Sequence, residues 1–151
     1  MRPLFANAGE SYVQVVMMLG FDKTITIYNK RFDPATRTTT WPKTVIGNAS
    51  WAGHQRVTVG DGLTSNDGYS VRVPLEAMPE GFLGRSEYVA TADPTGHWTA
   101  QNGDVVVLGI GPDVVDGIAE ITRQFTDCFT VTTVNTANMT RLLPHLRLEG
   151  K

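Results

Sequence analysis

The sequence predicts a mainly β fold, a small barrel or sandwich of about seven strands with long loops and one short helix. Val, Ile and Thr make up 41 of the 151 residues, and β-branched side chains favour the pleated surface of a sheet. Several segments alternate apolar and polar residues with a period of two, which is typical of strands with one buried face. The length fits one domain, which we assign to residues 24–151, after an N-terminal arm or extension at residues 1–23.

The first strands are predicted from this alternation and from the turn residues between them. Residues 24–29 (TITIYN) alternate, and the Asp-Pro pair at 33–34 marks a turn. Two further strands, at 38–41 and 43–46, flank Pro42. Because proline cannot donate a hydrogen bond to a ladder, Pro42 belongs at an edge or a bulge.

The later strands follow from the same reading. They are predicted at residues 56–59, 69–73, 105–108, 129–134 and 145–148. The turn-forming residues 60–68 predict a long exposed loop. The uninterrupted apolar run at 105–108 (VVVL) predicts a strand that is buried on both faces.

One helix is predicted within residues 113–126. Val114, Ile118, Ile121 and Phe125 recur there at helical spacing. A glycine at position 117 weakens this helix by about 1 kcal/mol relative to alanine. We therefore expect a short helix rather than one that fills the whole segment.

Composition and charge disfavour several classes of function. The formal net charge of −2 lacks the basic excess that drives binding to nucleic acid phosphates. The single cysteine, Cys128, cannot close an internal disulfide, and no Cys/His spacing fits zinc. The longest uncharged apolar stretch, residues 15–19, is too short for a signal or a membrane segment. We expect a soluble protein without a cofactor or a metal.

The candidate catalytic and ligand-binding motifs are weak. His54, His97 and His145 lie more than 40 residues apart in sequence, and nothing in the sequence forces them together. The acidic turn at 61–68 departs from the spacing of a calcium-binding loop. The glycine-rich turn at 109–112 lacks the rest of a phosphate-binding motif. We predict no catalytic residues.

Charge is distributed unevenly along the chain. Residues 1–75 carry a net charge of +3, residues 76–127 carry −7, and residues 128–151 carry +2. Such asymmetry favours complementary surfaces that meet between copies or partners, although a solvated acidic face explains it equally well.

Six segments, taken in order and spacing, resemble a known family. They are TITIYNKRF, TVIGNASW, SVRVP, HWTAQNGDVVVLG, FTVTTV and PHLRLEGK. Together they resemble the small neck proteins of tailed bacteriophages, also called minor capsid proteins, and among these the head-closure or stopper subunits. The resemblance covers about residues 24–151.

The resemblance implies a structural β-barrel subunit without enzymatic activity. Such subunits form a homo-oligomeric ring, six- or twelve-fold, in the virion neck between the portal or adaptor protein and the tail terminator or tail tube. The ring closes the head and retains the packaged DNA, which passes through its lumen without sequence-specific binding. Assembly in the host cytoplasm and no association with membranes are expected.

The excursion at residues 75–96 is predicted to be the contact arm of this ring. Large apolar patches on a monomer usually mark interaction sites, and this stretch is rich in apolar side chains. The predicted interface residues are the apolar Met78, Phe82, Leu83 and Tyr88 and the acidic Glu76, Glu80 and Glu87. The acids would rim the contact or face a DNA-bearing channel.

Two alternatives stay open from the sequence. The helical stretch at 113–126 is longer than a minimal stopper needs, which leaves room for a tail terminator or another neck or tail component. A small β-fold hydrolase or ligand-binding module is the rival from another class. It would use residues 76–97 as a lid and the three histidines as its polar centre.

Overall fold

The computed structural model describes residues 21–59, 63–137 and 144–151. These residues form eight strands, two short α-helices and one 3-10 turn. The strands are β1 (Lys23–Tyr28), β2 (Arg31–Asp33), β3 (Thr38–Thr40), β4 (Lys43–Val59), β5 (Leu63–Pro74), β6 (Val105–Leu108), β7 (Cys128–Ala137) and β8 (His145–Gly150). The helices are α1 (Arg85–Ala90) and α2 (Ile118–Gln124), and the 3-10 turn is Leu75–Ala77.

Six strands close into an antiparallel barrel in the order β1-β4-β5-β8-β7-β6. The barrel closes where β6 pairs with β1, with Val105 opposite Tyr28 and Leu108 opposite Ile25. Strands β2 and β3 form a separate hairpin beside the barrel. The predicted mainly β fold is therefore confirmed. Of the two predicted architectures, barrel and sandwich, the structure has the barrel.

Inward-facing side chains from all six strands fill the barrel. In β8, for example, buried and half-buried positions alternate, which places Leu146 and Leu148 inside. The core consists of Ile25, Ile27, Ile46, Ala49, Val71, Val73, Val106, Phe129, Val131, Leu146 and Leu148, with Trp98 and Ala100 packed against them. Burial of these apolar surfaces is the main source of the stability of the fold.

Strand β6 is buried on both faces, as its apolar run predicts. Val106 points into the barrel core. Val105 and Val107 point outward and pack with Tyr28 and with Ile121 of α2 in a second apolar cluster. The helix therefore covers the seam at which the barrel closes.

The predicted helix exists, although it begins later than the start of the predicted segment. Gly117 precedes it with φ of +128°, a backbone conformation that side chains rarely adopt, and so marks its N-terminal boundary. Residues 113–117 are not helical, yet Val114 still packs against the second cluster. Helix α1 lies in the excursion at residues 75–96, where we predicted no helix.

Strand β4 joins two predicted strands through a bulge. Lys23 of β1 lies opposite Ala49, whereas Ile25 lies opposite Ile46, so β4 has one extra residue in this interval. Asn48 has φ of +55°, which Asn tolerates better than most residues. The bulge lets β4 pair first with β1 and then with β5.

Beyond the barrel, β4 and β5 continue as a two-stranded arm, residues 54–59 and 63–68. At Tyr69 strand β5 pairs with both β4 and β8, but the six pairs from His54–Gly68 to Val59–Leu63 join only β4 and β5 among the described residues. The prediction of a loop over residues 60–68 is wrong for 63–68, which are strand, and residues 60–62 lie outside the described residues.

Most of the predicted N-terminal arm, residues 1–20, lies outside the described residues. Of the remainder, Phe21 is buried and Lys23 begins β1. No helix in the described part of the chain is long and apolar enough to cross a membrane.

Leu148→Ala tests the barrel core. Leu148 is fully buried between its neighbours on β5 and β7, Val71 and Val134. We expect the substitution to lower the free energy of unfolding by about 2–5 kcal/mol, measured by guanidinium chloride denaturation. The exposed Thr133→Ala is the control and should change it by less than about 0.5 kcal/mol. Equal effects of the two substitutions would contradict the assignment of the core.

Candidate functional site

The excursion between β5 and β6 folds back onto the barrel through Trp98. The indole of Trp98 is buried, and its Nε1 donates a hydrogen bond to the carbonyl oxygen of Pro79 at 3.1 Å. The ring of Phe82 meets the Trp98 ring edge-on at 4.8 Å between centroids. Backbone hydrogen bonds from Leu83 N to Trp98 O and from Trp98 N to Gly81 O complete the attachment. The excursion is thus packed against the core.

Arg31, the first residue of β2, holds α1 against the β2–β3 hairpin. Its guanidinium donates hydrogen bonds to the carbonyl oxygens of Tyr88, at 2.8 Å, and Thr91, at the C-terminal end of the helix. The same group lies 5.3 Å from the centroid of the Tyr88 ring, a cation–π contact. A cation at this end of a helix also interacts favourably with the helix dipole.

A buried polar network ties the excursion to the point of barrel closure. The Asp104 carboxylate accepts hydrogen bonds from Lys30 N, Asn29 Nδ2 and Gln101 N at 2.8–3.0 Å. Asn29 Nδ2 also donates to Thr99 O, and Asn29 Oδ1 accepts from Thr99 N. Asn29, Thr99 and Asp104 are almost fully buried, so these bonds compensate groups that water cannot reach.

Burial raises the pKa of Asp104 to about 6. The hydrogen bonds from Lys30, Asn29 and Gln101 oppose the shift because they favour the charged form, but the loss of hydration outweighs them. Asp104 is therefore an anion at pH 7, inside the protein, surrounded by N–H donors.

The seven predicted interface residues lie in different environments. Tyr88 is fully buried, so its ring is not available to a partner, and Met78 packs against the barrel core. Leu83 is half-buried. Phe82 contacts the ring of Trp98 and is otherwise exposed to solvent. The three acids Glu76, Glu80 and Glu87 are exposed. Their role at an interface stays a prediction.

The histidines fall on separate parts of the fold. His54 pairs with Gly68 in the β4–β5 arm, whereas His145 pairs with Pro74 at the other end of β5, about 20 Å along the strand. His97 is exposed and makes a hydrogen bond with the carbonyl oxygen of Gly81. Within the described ranges, no group of three or more His, Cys, Asp or Glu side chains is placed to hold a metal ion.

The loop at residues 109–116, which we call the β6–α2 loop, is held firmly against the outside of the barrel. Thr26 Oγ1 donates a hydrogen bond to Gly109 O at 2.8 Å and accepts one from Gly111 N at 2.9 Å. Tyr28 donates its hydroxyl to Pro112 O at 2.7 Å. A side chain at position 111 would collide with this hydroxyl, so the close approach requires glycine.

Lys43 adds a further link to the β6–α2 loop. Its ammonium group donates a hydrogen bond to Gly111 O at 3.0 Å and lies 3.5 Å from the Asp113 carboxylate. Burial, with a smaller contribution from Asp113, raises the pKa of Tyr28, so the hydroxyl that holds the loop keeps its proton. The loop is thereby fixed by side chains of β1 and β4.

Although the β6–α2 loop is fixed, it presents two large apolar side chains to solvent. Ile110 is 70% exposed and Val115 is 82% exposed. The acids Asp113 and Asp116 lie beside them in sequence and are also exposed. A groove of about 350 Å³ separates this loop from β3. This surface was not predicted from the sequence, because residues 109–112 were considered only as a phosphate-binding turn and residues 113–116 were assigned to a helix.

A difference in pH dependence between the native protein and Asp104→Asn tests the buried network. Between about pH 4 and pH 6 the folded state keeps the Asp104 proton that the unfolded chain releases, so the folded state binds more protons. The contribution of Asp104 to stability is therefore largest below pH 4. It falls by about 3 kcal/mol as the pH rises to 6.

Denaturation at several pH values should show this fall in the native protein relative to Asp104→Asn, in which the titrating group is missing. If the variant does not fold, NMR titration of the Asp104 carboxyl carbon in the native protein gives the same information. A midpoint near pH 4 would contradict the expected shift.

Arg31→Met tests the attachment of α1. Loss of the two charge-assisted hydrogen bonds should weaken the local structure by about 2 kcal/mol, which corresponds to an increase of about 30-fold in amide hydrogen exchange at the C-terminal end of the helix. Arg85→Met is the matched control, since Arg85 is an exposed residue of α1. Equal exchange rates in the two variants would show that Arg31 does not hold the helix.

A search of curated proteins and a search of solved structures each found no match. One family model matches residues 20–151, which is most of the chain and includes all six strands of the barrel. The chain therefore belongs to DUF6751, a family of unknown function.

Proposed function

We propose that this protein is a structural subunit of the neck of a tailed bacteriophage virion. In this role it forms a ring between the portal or adaptor and the tail, closes the head and retains the DNA. The observation that carries the proposal is the β4–β5 arm, which extends from a closed barrel. The resemblance of the chain to head-closure proteins suggests that the contacted molecules are other subunits of a virion neck.

The arm is built for contact with another molecule. Its six residue pairs extend about 20 Å from the last pair shared with β8. A two-stranded hairpin without further neighbours is at best marginally stable in water. Its outer edges, which no other described strand covers, can pair with a strand of another chain. An adjacent subunit or ring would supply that support.

The exposed acids of the excursion are compatible with a DNA channel. Glu76, Glu80 and Glu87 are exposed on a segment that Trp98 anchors to the barrel and Arg31 anchors to the β2–β3 hairpin. Negative charge on a channel wall repels the DNA phosphates and keeps the genome from adhering. This placement supports a role in which DNA passes the ring without being bound.

A ligand-binding module is the second candidate, and one groove favours it. This groove, of about 350 Å³, is lined by Lys43, Glu80, His97 and Trp98 among others. However, Lys43 already interacts with Gly111 and Asp113, and His97 with Gly81. Fewer polar groups of the groove are therefore available to a ligand than its lining residues suggest.

Removal of the coding sequence from the phage genome that carries it tests the neck role. We expect heads that have lost their packaged DNA and separate tails that do not join, with loss of infectious particles, visible by electron microscopy and plaque counts. Tails of abnormal length would instead favour the tail-terminator alternative. An unchanged yield of infectious virions would contradict a neck role altogether.

Complementation with a shortened arm tests the observation that carries the proposal. Replacing residues 57–65 by Asn-Gly keeps the pairs nearest the barrel and supplies a tight hairpin turn. The full chain should restore infectivity, whereas the shortened chain should not. Circular dichroism and unfolding of the shortened chain establish that its barrel is intact. Full complementation by this variant would exclude the arm as a contact element.

A further inference from the structure

We infer that copies of this chain associate head to tail, with the β6–α2 loop of one copy against the outer face of β5 and β8 of the next. This contact rests on the proposed function, because that function requires identical subunits to assemble. The inference names the two surfaces that meet and the chemistry that matches them.

The first surface is the β6–α2 loop. Hydrogen bonds from Thr26, Tyr28 and Lys43 hold its backbone, yet Ile110 and Val115 extend into solvent. A contact made by a fixed loop loses little conformational entropy on binding. The loop therefore combines apolar area, rigidity and negative charge.

The second surface contains two arginines that face each other across β5 and β8. Arg72 and Arg147 are directly opposite in the register of the two strands. Both point outward, because Val71, Val73, Leu146 and Leu148 on either side of them are buried. Like charges at directly opposed positions are destabilising, so an incoming anion relieves their repulsion.

The described residues neutralise only part of this positive charge. Arg147 forms an ion pair with Glu149, two residues further along β8. Arg72 is exposed and has no ion-pair partner among the described residues. One uncompensated positive charge thus remains on this face, and Asp116 of the β6–α2 loop, also exposed, carries the complementary charge.

The barrel places the two surfaces on opposite sides. In the strand order β1-β4-β5-β8-β7-β6, β8 lies across the barrel from β1, and β5 lies across from β6. The β6–α2 loop is fixed to β1 and follows β6, whereas the arginines lie on β5 and β8. Surfaces that are different, complementary and on opposite sides produce a head-to-tail contact, which closes into a ring when the rotation between subunits permits.

Charge reversal of the full chain tests the contact. Arg72→Glu alone and Asp116→Arg alone should each weaken self-association by about tenfold, measured by sedimentation velocity up to high protein concentration. The chain that carries both substitutions should recover the native association, because its reversed charges match again. Arg123→Glu, an exposed arginine of α2 outside both surfaces, is the control and should leave association unchanged.

Three results would overturn the inference: a native protein that stays monomeric throughout, single variants that associate as the native chain does, or a double variant without recovery. The outcome is separable from that of the proposed function. If removal of the gene blocks virion assembly but Arg72→Glu restores full infectivity, the neck role stands and this contact is wrong. If the gene is dispensable to the phage but the charge reversals behave as expected, the contact stands without the neck role.

Discussion

The buried hydrogen-bond network around Asp104 is the interaction on which most of the architecture depends. It joins the end of β1, the segment that returns from the excursion and the start of β6. Backbone hydrogen bonds from Val131 N to Asp104 O and from Gly103 N to Val131 O extend it to β7. Because the barrel closes between β1 and β6, a charged group held at that point fixes the register of the closure as well as the position of the excursion.

The two faces of β1 pack against different parts of the structure. Ile25 and Ile27 fill the barrel, as the alternating pattern of the strand requires. Thr26 and Tyr28 point outward but are also buried, because they hold the β6–α2 loop in place. An outer surface that is normally solvated thus becomes the support of a second layer.

Much of the barrel could be predicted from local pattern, whereas the site could not. The strands at 24–29 and 105–108 were indicated by alternation and by an apolar run, both properties of consecutive residues. The β4–β5 arm was missed because residues 63–68, its second strand, are mostly of turn-forming types. Their strand conformation depends on pairing with β4, which the local sequence does not show. The pairing of Asn29 with Asp104 and of Arg31 with the end of α1 joins residues far apart in sequence, which periodicity does not report.

Strand β8 has a consequence for biosynthesis. It is the last of the six barrel strands in sequence order and lies between β5 and β7, where Leu146 and Leu148 join the core. The barrel therefore cannot close during translation until residues 145–150 have left the ribosome. Until then the nascent chain exposes the edges of β5 and β7 and the apolar interior between them, a state that favours wrong pairing with other chains. Slow synthesis or stalling just before β8 would prolong that exposure, because this short segment completes the barrel.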